Sequence, residues 1–439
     1  LFKKIKKTFY IESLGCAKNQ VDSEIMIASL IKKGWEYVRE PEAAGVIIVN
    51  TCAFIQEAKE ESIETTISLR SRYPEKKIIV AGCLTQRYGK TLEKEFSDMD
   101  GFIGNQNPEL IAEKINGAGE IKVKANTSPQ HTMHPYRNIL LSYPGSAYVK
   151  IADGCDNRCS YCSIPIIRGN LWSRKVKDII DEVTYLLDLG IIELNLVAQD
   201  LGSFGIDRGK EELTTLFRSL ACLPQHFWLR PLYIHPDRFL HEILDIIKAD
   251  SRFLPYFDIP FQHASEKILR LMGRKGDSSR YLRLIEEIRD KIPGAVIRST
   301  FLVGFPGECD HDFSSLLDFQ KRAAINWLGC FAYSREEGTP AFTLPGRVKK
   351  SVILLRKREI ESRQISVTEK WLDSIVGSCL DVLIEESVEG EELSLGRSYM
   401  QAPEVDGLIV IHGKHLVPGT ITRVKIVRRN GMDIDGIPV

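Results

Sequence analysis

The stretch Asp153-Gly154-Cys155-Asp156-Asn157-Arg158-Cys159-Ser160-Tyr161-Cys162 decides how this chain is read. It follows an apolar, strand-like run, Ala147–Ile151, and precedes an amphipathic helical pattern, Lys177–Leu189,. Its three thiols suit an iron–sulfur cube that lacks one protein ligand, whereas a structural zinc or a fully ligated cluster takes a fourth. No cysteine or histidine follows closely; the next is Cys222. One iron therefore stays open to a ligand that is not protein. That is the requirement for binding and reductively cleaving S-adenosylmethionine (SAM).

Further strand and helix patterns alternate down to Tyr333, giving six β/α repeats and a parallel, partly open barrel over residues 143–371,. Active residues belong at the carboxyl ends of such strands. Polar or turn-forming groups there include Gln199, Asp200, Tyr233, His235, Gln262, His263, the turn from Gly304 to Glu308, and Ser334. The candidates for holding SAM are Gln199, Asp200, Gln262, Arg298, Gly304 and Glu308. His263 is disfavoured as an acid–base group because radical abstraction needs no strong base. Arg158 and Arg168 bracket the cysteine loop and could pair with a carboxylate of SAM or substrate, although surface salt bridges explain them nearly as well.

Upstream, residues 1–142 read as a parallel α/β sheet domain, with strands at Thr8–Leu14, Val46–Asn50, Lys77–Ala81 and Gly101–Gly104,. Cys16, Cys52 and Cys83 each fall just beyond the carboxyl end of one of the first three, the edge where open α/β sheets gather ligands. Three in register suggest a tripod for a second cluster; core packing of free thiols is the alternative. Gly15 and Gly82, each preceding its cysteine, allow a tight turn around a bulky cofactor. No G-x-G-x-x-G follows the first strand, which disfavours a dinucleotide site. The aperiodic residues 125–144, with His131 and His134, read as a linker.

Residues 372–439 carry short strand patterns at Cys379–Glu385, Gly396–Tyr399, Gly407–Ile411 and Ile421–Val427, suggesting a small antiparallel barrel,. From Trp371 to Val439, eleven acidic residues stand against six basic ones, a net charge of −5. An RNA-gripping module should neutralise phosphates, and this one would repel them except along Arg423–Arg429. A basic protein partner fits better, and nucleic acid is not the expected substrate. Over the whole chain, 59 basic residues balance 59 acidic ones. No apolar run approaches membrane-spanning length, and the early lysines are not followed by an apolar segment, so a cytoplasmic protein is expected. Ten scattered cysteines do not form a disulfide framework,.

Leu14-Gly15-Cys16-Ala17-Lys18-Asn19, Asn50-Thr51-Cys52-Ala53-Phe54, Ala81-Gly82-Cys83-Leu84, the Gly154–Cys162 loop and Gly304–Glu308 together resemble the motifs of the radical-SAM methylthiotransferase family over essentially the whole chain. The resemblance implies a multidomain α/β protein: a flavodoxin-like sheet domain, a partly open (β/α)6 radical-SAM barrel and a small OB-like TRAM barrel. It implies two [4Fe-4S] clusters, with Cys155, Cys159 and Cys162 on the one that cleaves SAM. Cys16, Cys52 and Cys83 would hold an auxiliary cluster carrying the sulfur to be donated. A low-potential electron donor such as flavodoxin or ferredoxin is implied as well. Val197-Ala198-Gln199-Asp200, Tyr233-Ile234-His235-Pro236, Asp258–His263 and Ala402–Gly407 look like the branch that modifies an aspartate β-carbon in a small-subunit ribosomal protein. The branch acting on a tRNA adenosine is the runner-up, and a non-catalytic iron–sulfur protein is a third reading. Cys309 departs from the family, which usually places threonine after this glutamate.

Overall fold

A computed structural model describes residues 7–116, 136–413 and 416–439; His131, His134 and the core of the expected linker lie outside these residues. The first unit runs β1 (Thr8–Ser13), α1 (Ala17–Lys32), β2 (Glu36–Tyr37), β3 (Val46–Thr51), α2 (Gln56–Arg72), β4 (Lys77–Gly82), α3 (Cys83–Glu95), β5 (Gly101–Ile103) and α4 (Ile111–Asn116). Its strands are parallel in the order β2-β1-β3-β4-β5, the flavodoxin-like arrangement,. Every residue of β3 is buried, which its unbroken apolar run Val46–Val49 anticipates for a strand covered on both faces,. The two-residue edge strand β2 is too short to leave a pattern.

The barrel contains β6 (Ser146–Lys150), β7 (Ala152–Asp153), α5 (Ile164–Arg168), β8 (Trp172–Ser173), α6 (Val176–Asp188), β9 (Glu193–Val197), α7 (Leu213–Ala221), β10 (Trp228–Pro231), α8 (Glu242–Ala249), β11 (Tyr256–Asp258), α9 (Glu266–Leu271), α10 (Ser278–Lys291), β12 (Val296–Val303), α11 (Asp310–Ala323) and β13 (Trp327–Ala332). Two parallel arcs, β10-β9-β6 and β11-β12-β13, meet where Leu229 bonds Arg252 O at 2.7 Å and receives Leu254 N at 2.8 Å. Six main strands thus form one open arc with β6 and β13 at its edges. The short antiparallel pair β7–β8 clips the two ends of the cysteine loop together. Leu194, Leu229, Phe257, Ile297 and Phe301 face the surrounding helices, packing on Ile179, Phe217, Ile243, Ile285 and Phe319.

The long α12 (Lys350–Ser374) leads into β14 (Cys379–Ser387), β15 (Leu393–Arg397), β16 (Ile409–His412), β17 (Ile421–Asn430) and β18 (Asp433–Pro438). They close in the order β14-β15-β16-β18-β17. The expected small antiparallel barrel is present, with four antiparallel pairings and one parallel pairing, β16 with β18. The unforeseen β18 returns antiparallel to β17 and closes the barrel by lying parallel to β16.

The three units share one apolar core. Ala17, Val21 and Ile25 of α1 meet Tyr148, Leu232, Tyr256 and Trp327 from the inner side of the arc, and Met400, Ala402 and Ile409 of the last unit join them. Buried ions reinforce these seams. Glu193 of the arc lies between Arg230 (3.0 Å) and Arg397 (2.7 Å), while Arg137 holds both Glu24 and Glu182. Among the described residues, no helix is long and apolar enough to cross a membrane.

Candidate metal centre

Cys16 caps α1, Cys52 follows β3 and Cys83 opens α3, so three turns at one sheet edge deliver three thiols. Gly15 has φ +91°, and a Cβ there would stand 2.6 Å from Cys52 Cβ and 2.9 Å from its Sγ. Only a glycine lets these two turns touch. Gly82, at φ +95°, is equally constrained: a Cβ would meet Thr51 O at 2.6 Å. Burial pushes the Cys52 thiol up to about 12, and the charges of Cys83 and Cys16 add to it. Burial also raises Cys83, opposed by Arg168 and aided by Cys16. At Cys16 burial works in the same upward sense, but Lys18, Arg168 and nearby amides pull the thiol below its ordinary value. The three groups therefore share one field. Cys83 Sγ also accepts from Asn105 Nδ2 at 3.3 Å and from Arg168 Nη2 at 3.5 Å.

The second triad is shaped by its loop. Gly154, at φ +70°, leaves no room for a Cβ, which would stand 2.0 Å from Asn170 O; Arg158 adopts φ +50°. Cys155 N bonds Gly169 O, and Ser160 is held by Met272 O and Leu271 O. Burial pushes Cys155 and Cys162 up to about 12, and the Cys159 charge contributes to both. Among the described residues, no three potential ligands are drawn in tightly enough for a single ion. An iron–sulfur cube takes its thiolates at separate corners.

The two triads are neighbours. Ser163, next to Cys162, donates to Phe54 O at 3.2 Å, two residues beyond Cys52. Helix α5 starts at Ile164, two residues after Cys162, packs Ile167 against Ala53 and Leu84, and ends at Arg168 on Cys83. Arg168 pairs with Asp22 of α1 and Asp153 of the loop, both at 2.9 Å, and Lys150 also holds both carboxylates. Cys16 is solvent-accessible and Lys18, Tyr161, Cys162 and Tyr233 are half-buried, yet protein surrounds them densely. Such residues line a hollow that solvent reaches.

Around this hollow lie the residues expected at the strand ends. Gln199 donates to Asp153 at 3.1 Å while its buried Oε1 has no partner, a polar atom left for a ligand,. Asp200 receives Asn157 of the cysteine loop at 2.7 Å, Ser203 at 2.6 Å, and the amides of Gly202 and His235. Its carboxylate thus anchors the loop. Gln262 has φ +68° and bridges β12 through its backbone. Arg298 lies on β12, between Asp258 (3.4 Å) and Asp406 (3.3 Å). Glu308 receives Gly304 N at 2.7 Å, Phe305 N at 3.1 Å and Arg356 at 2.8 Å, so it shapes its own turn. His263 Nδ1 accepts two amides at 3.0 Å, which leaves the proton on buried Nε2, 3.9 Å from Glu308; burial holds its pKa down to about 3.

Sequence reasoning missed Asp22, Lys150 and Asp153, and gave Lys18 no role. The density of polar residues at Asn19, Asp22, Ser23 and Glu24, all buried on one helix, was the available signal.

Residues 8–104 match the model described as "Uncharacterized protein family UPF0004", residues 149–319 the Radical SAM superfamily and residues 376–439 the TRAM domain. A Treponema denticola protein named "Ribosomal protein uS12 methylthiotransferase RimO" is 41% identical over 465 residues, covering 97% of this chain and 99% of its own. A protein of the same name from Carboxydothermus hydrogenoformans is 40% identical, covering 98% of each. Among solved structures, the radical SAM methyltransferase TsrM from Kitasatospora setae superposes with a TM-score of 0.56 at 14% identity, over 76% of this chain and 73% of that one. The cobalamin-dependent SAM radical enzyme OxsB gives 0.51 at 12%, over 81% and 56%. At these identities the likeness is one of fold. With all three domain types present and near-full-length relatives at this identity, the chain is a radical-SAM enzyme with at least one iron–sulfur and SAM site, and it belongs to the RimO family of methylthiotransferases.

Proposed function

We propose that this chain inserts a methylthio group at the β-carbon of an aspartate in ribosomal protein uS12. The substrate comes from the names of its relatives, and the observation that carries the chemistry is the meeting of two cysteine triads across α5. We assign Cys155, Cys159 and Cys162 to one [4Fe-4S] cluster and Cys16, Cys52 and Cys83 to a second, within units spanning residues 143–371 and 1–142. When bound, these groups and SAM supply reductive cleavage, hydrogen abstraction and sulfur.

The chain's own residues position and enclose. Gln199 Oε1 and the Gln262 side chain offer polar contacts to SAM, and Gly304 lies in the turn that Glu308 shapes. Asp200 fixes the cysteine loop through Asn157. Arg298 stands on the inner side of the arc with its charge balanced by Asp258 and Asp406, a polar group on the side where SAM would bind. Arg168 and Asn105 donate to Cys83 and offset part of the upward push that burial gives its thiol, which favours the thiolate a cluster needs,. A low-potential donor such as flavodoxin or ferredoxin supplies electrons in the cytoplasm.

The last unit supports a basic protein partner over RNA. Glu386, Glu389, Glu391 and Glu392 are exposed around the β14–β15 turn. Arg423, Arg428 and Arg429, the stripe that could grip phosphates, are taken up by Asp381 (2.9 Å), Asp435 (2.6 Å) and Glu369 (2.8 Å). The test is mass spectrometry after anaerobic turnover of the reconstituted enzyme with SAM and either uS12 or tRNA. A methylthio group on uS12 is expected; its appearance on tRNA alone would overturn the proposal.

A further inference from the structure

The cations that crowd the space between α1, the cysteine loop and the arc are nearly all neutralised in place. Arg168 and Lys150 share Asp22 and Asp153. Arg230 and Arg397 share Glu193, and Arg298 sits between Asp258 and Asp406. Lys18 differs. It lies in the first turn of α1, two residues past Cys16, and no carboxylate among the described residues comes within 4.0 Å of its ammonium. Instead Nζ sits 3.9 Å from the centre of the Tyr233 ring. A cation over an aromatic face is attracted by the ring but keeps its N–H donors available for a stronger acceptor.

Tyr233 is held for this contact at a cost. It follows β10 with φ +66°, a left-handed conformation that a bulky side chain adopts only where the surroundings impose it,. Tyr233 and Lys18 reach each other from different units, across the hollow that Cys16 also faces. The Lys18 side chain is half-buried beside Cys16, whose thiol it pulls down, and with no carboxylate paired to it an incoming carboxylate is favoured there,.

We propose that Lys18 is the specificity-determining cation that receives the side-chain carboxylate of the substrate aspartate, with Tyr233 holding the ammonium in position until that carboxylate arrives. This rests on the substrate reading above and deepens it. A methylthio group is to enter at the carbon bearing that carboxylate. Fixing the carboxylate two residues from a tripod cysteine would bring this carbon to the sulfur-donating side of the hollow. An asparagine, with no net charge, would gain far less from the same contact.

The experiment uses reconstituted holoenzyme with SAM under anaerobic conditions. Full-length uS12 and variants with Asn or Ala at the modified aspartate are compared on wild type, Lys18→Met and Lys18→Arg. Affinity is measured by titration before reduction, and modification is measured separately. Wild type should bind the Asp form at least about tenfold more tightly than the Asn form, roughly the scale of one charge-assisted hydrogen bond. Lys18→Met should remove that preference and Lys18→Arg restore part of it, with iron content and cluster spectra reporting intact centres in each. If wild type modifies uS12 while Lys18→Met keeps the full Asp-over-Asn preference, the assignment of Lys18 is overturned and the substrate reading stands. If wild type neither binds nor modifies uS12, the substrate reading falls, and the assignment with it.

Discussion

Replacing Arg168 with Gln tests whether the two cysteine triads are held together by charge. The guanidinium is buried and lies 2.9 Å from both Asp22 and Asp153, themselves buried. Without it, two buried carboxylates remain against the single ammonium of Lys150. Breaking such a pair costs about 3–5 kcal/mol, because a buried charge is left uncompensated. That is a large part of the roughly 5–15 kcal/mol by which domains are stable. Since Asp22 belongs to the sheet unit and Arg168 to the barrel, a double-mutant cycle with Asp22→Asn isolates the seam. The double variant should recover about 1.5–3 kcal/mol relative to additivity. Urea unfolding of the cluster-free protein at neutral pH supplies the free energies, with unchanged slopes required for the comparison. A single-variant cost below about 1 kcal/mol, or additivity within about 0.5 kcal/mol, would refute the reasoning.

Gly82→Ala should cost roughly 2–3 kcal/mol from its left-handed backbone alone, with more from the approach to Thr51. It should displace Cys83, and iron analysis after reconstitution should fall from about eight to about four per chain. Cys159→Ala should abolish SAM cleavage, whereas Cys52→Ala should leave cleavage measurable and lose methylthio insertion; chromatography of 5′-deoxyadenosine and mass spectrometry of substrate separate the two. Acid should destabilise the fold through His263. Its pKa is depressed to about 3 by burial, so the unfolded chain takes up the proton first. The contribution is complete above about pH 6.5 and declines as pH falls toward 3, reaching a loss of roughly 1.4 kcal/mol at about pH 5.5. His263→Asn should remove that slope in urea titrations across the same range.

Much of this architecture is legible without coordinates because parallel strands buried on both faces leave continuous apolar runs. Val46–Val49 and Ile78–Ala81 mark β3 and β4, and the cysteines then fall at one edge by topology alone. What the chain hides are features that depend on distant partners. β2 pairs through two residues, and β18 is fixed by where β16 lies. The net charge of −5 in the last unit gives no sign that Glu385 is spent on Arg397 and Asp406 on Arg298. Asp200 and Glu308 illustrate the same limit. At a strand end the sequence shows only a carboxylate; the partners each gathers, Asn157 for Asp200 and Arg356 for Glu308, come from distant positions. Lys18 escaped notice because a lysine in the first turn of a helix has no pattern of its own; its meaning comes from Tyr233.

The core common to α1, the arc and the last barrel has a consequence for engineering. Met400, Ala402 and Ile409 pack with residues of both other units, so the C-terminal portion is no detachable adaptor. Grafting the equivalent portion of a relative to redirect recognition would leave mismatched apolar surfaces at the junction unless Tyr148, Leu232 and Trp327 were exchanged with it. Retargeting such an enzyme therefore calls for transplanting the junction as a whole.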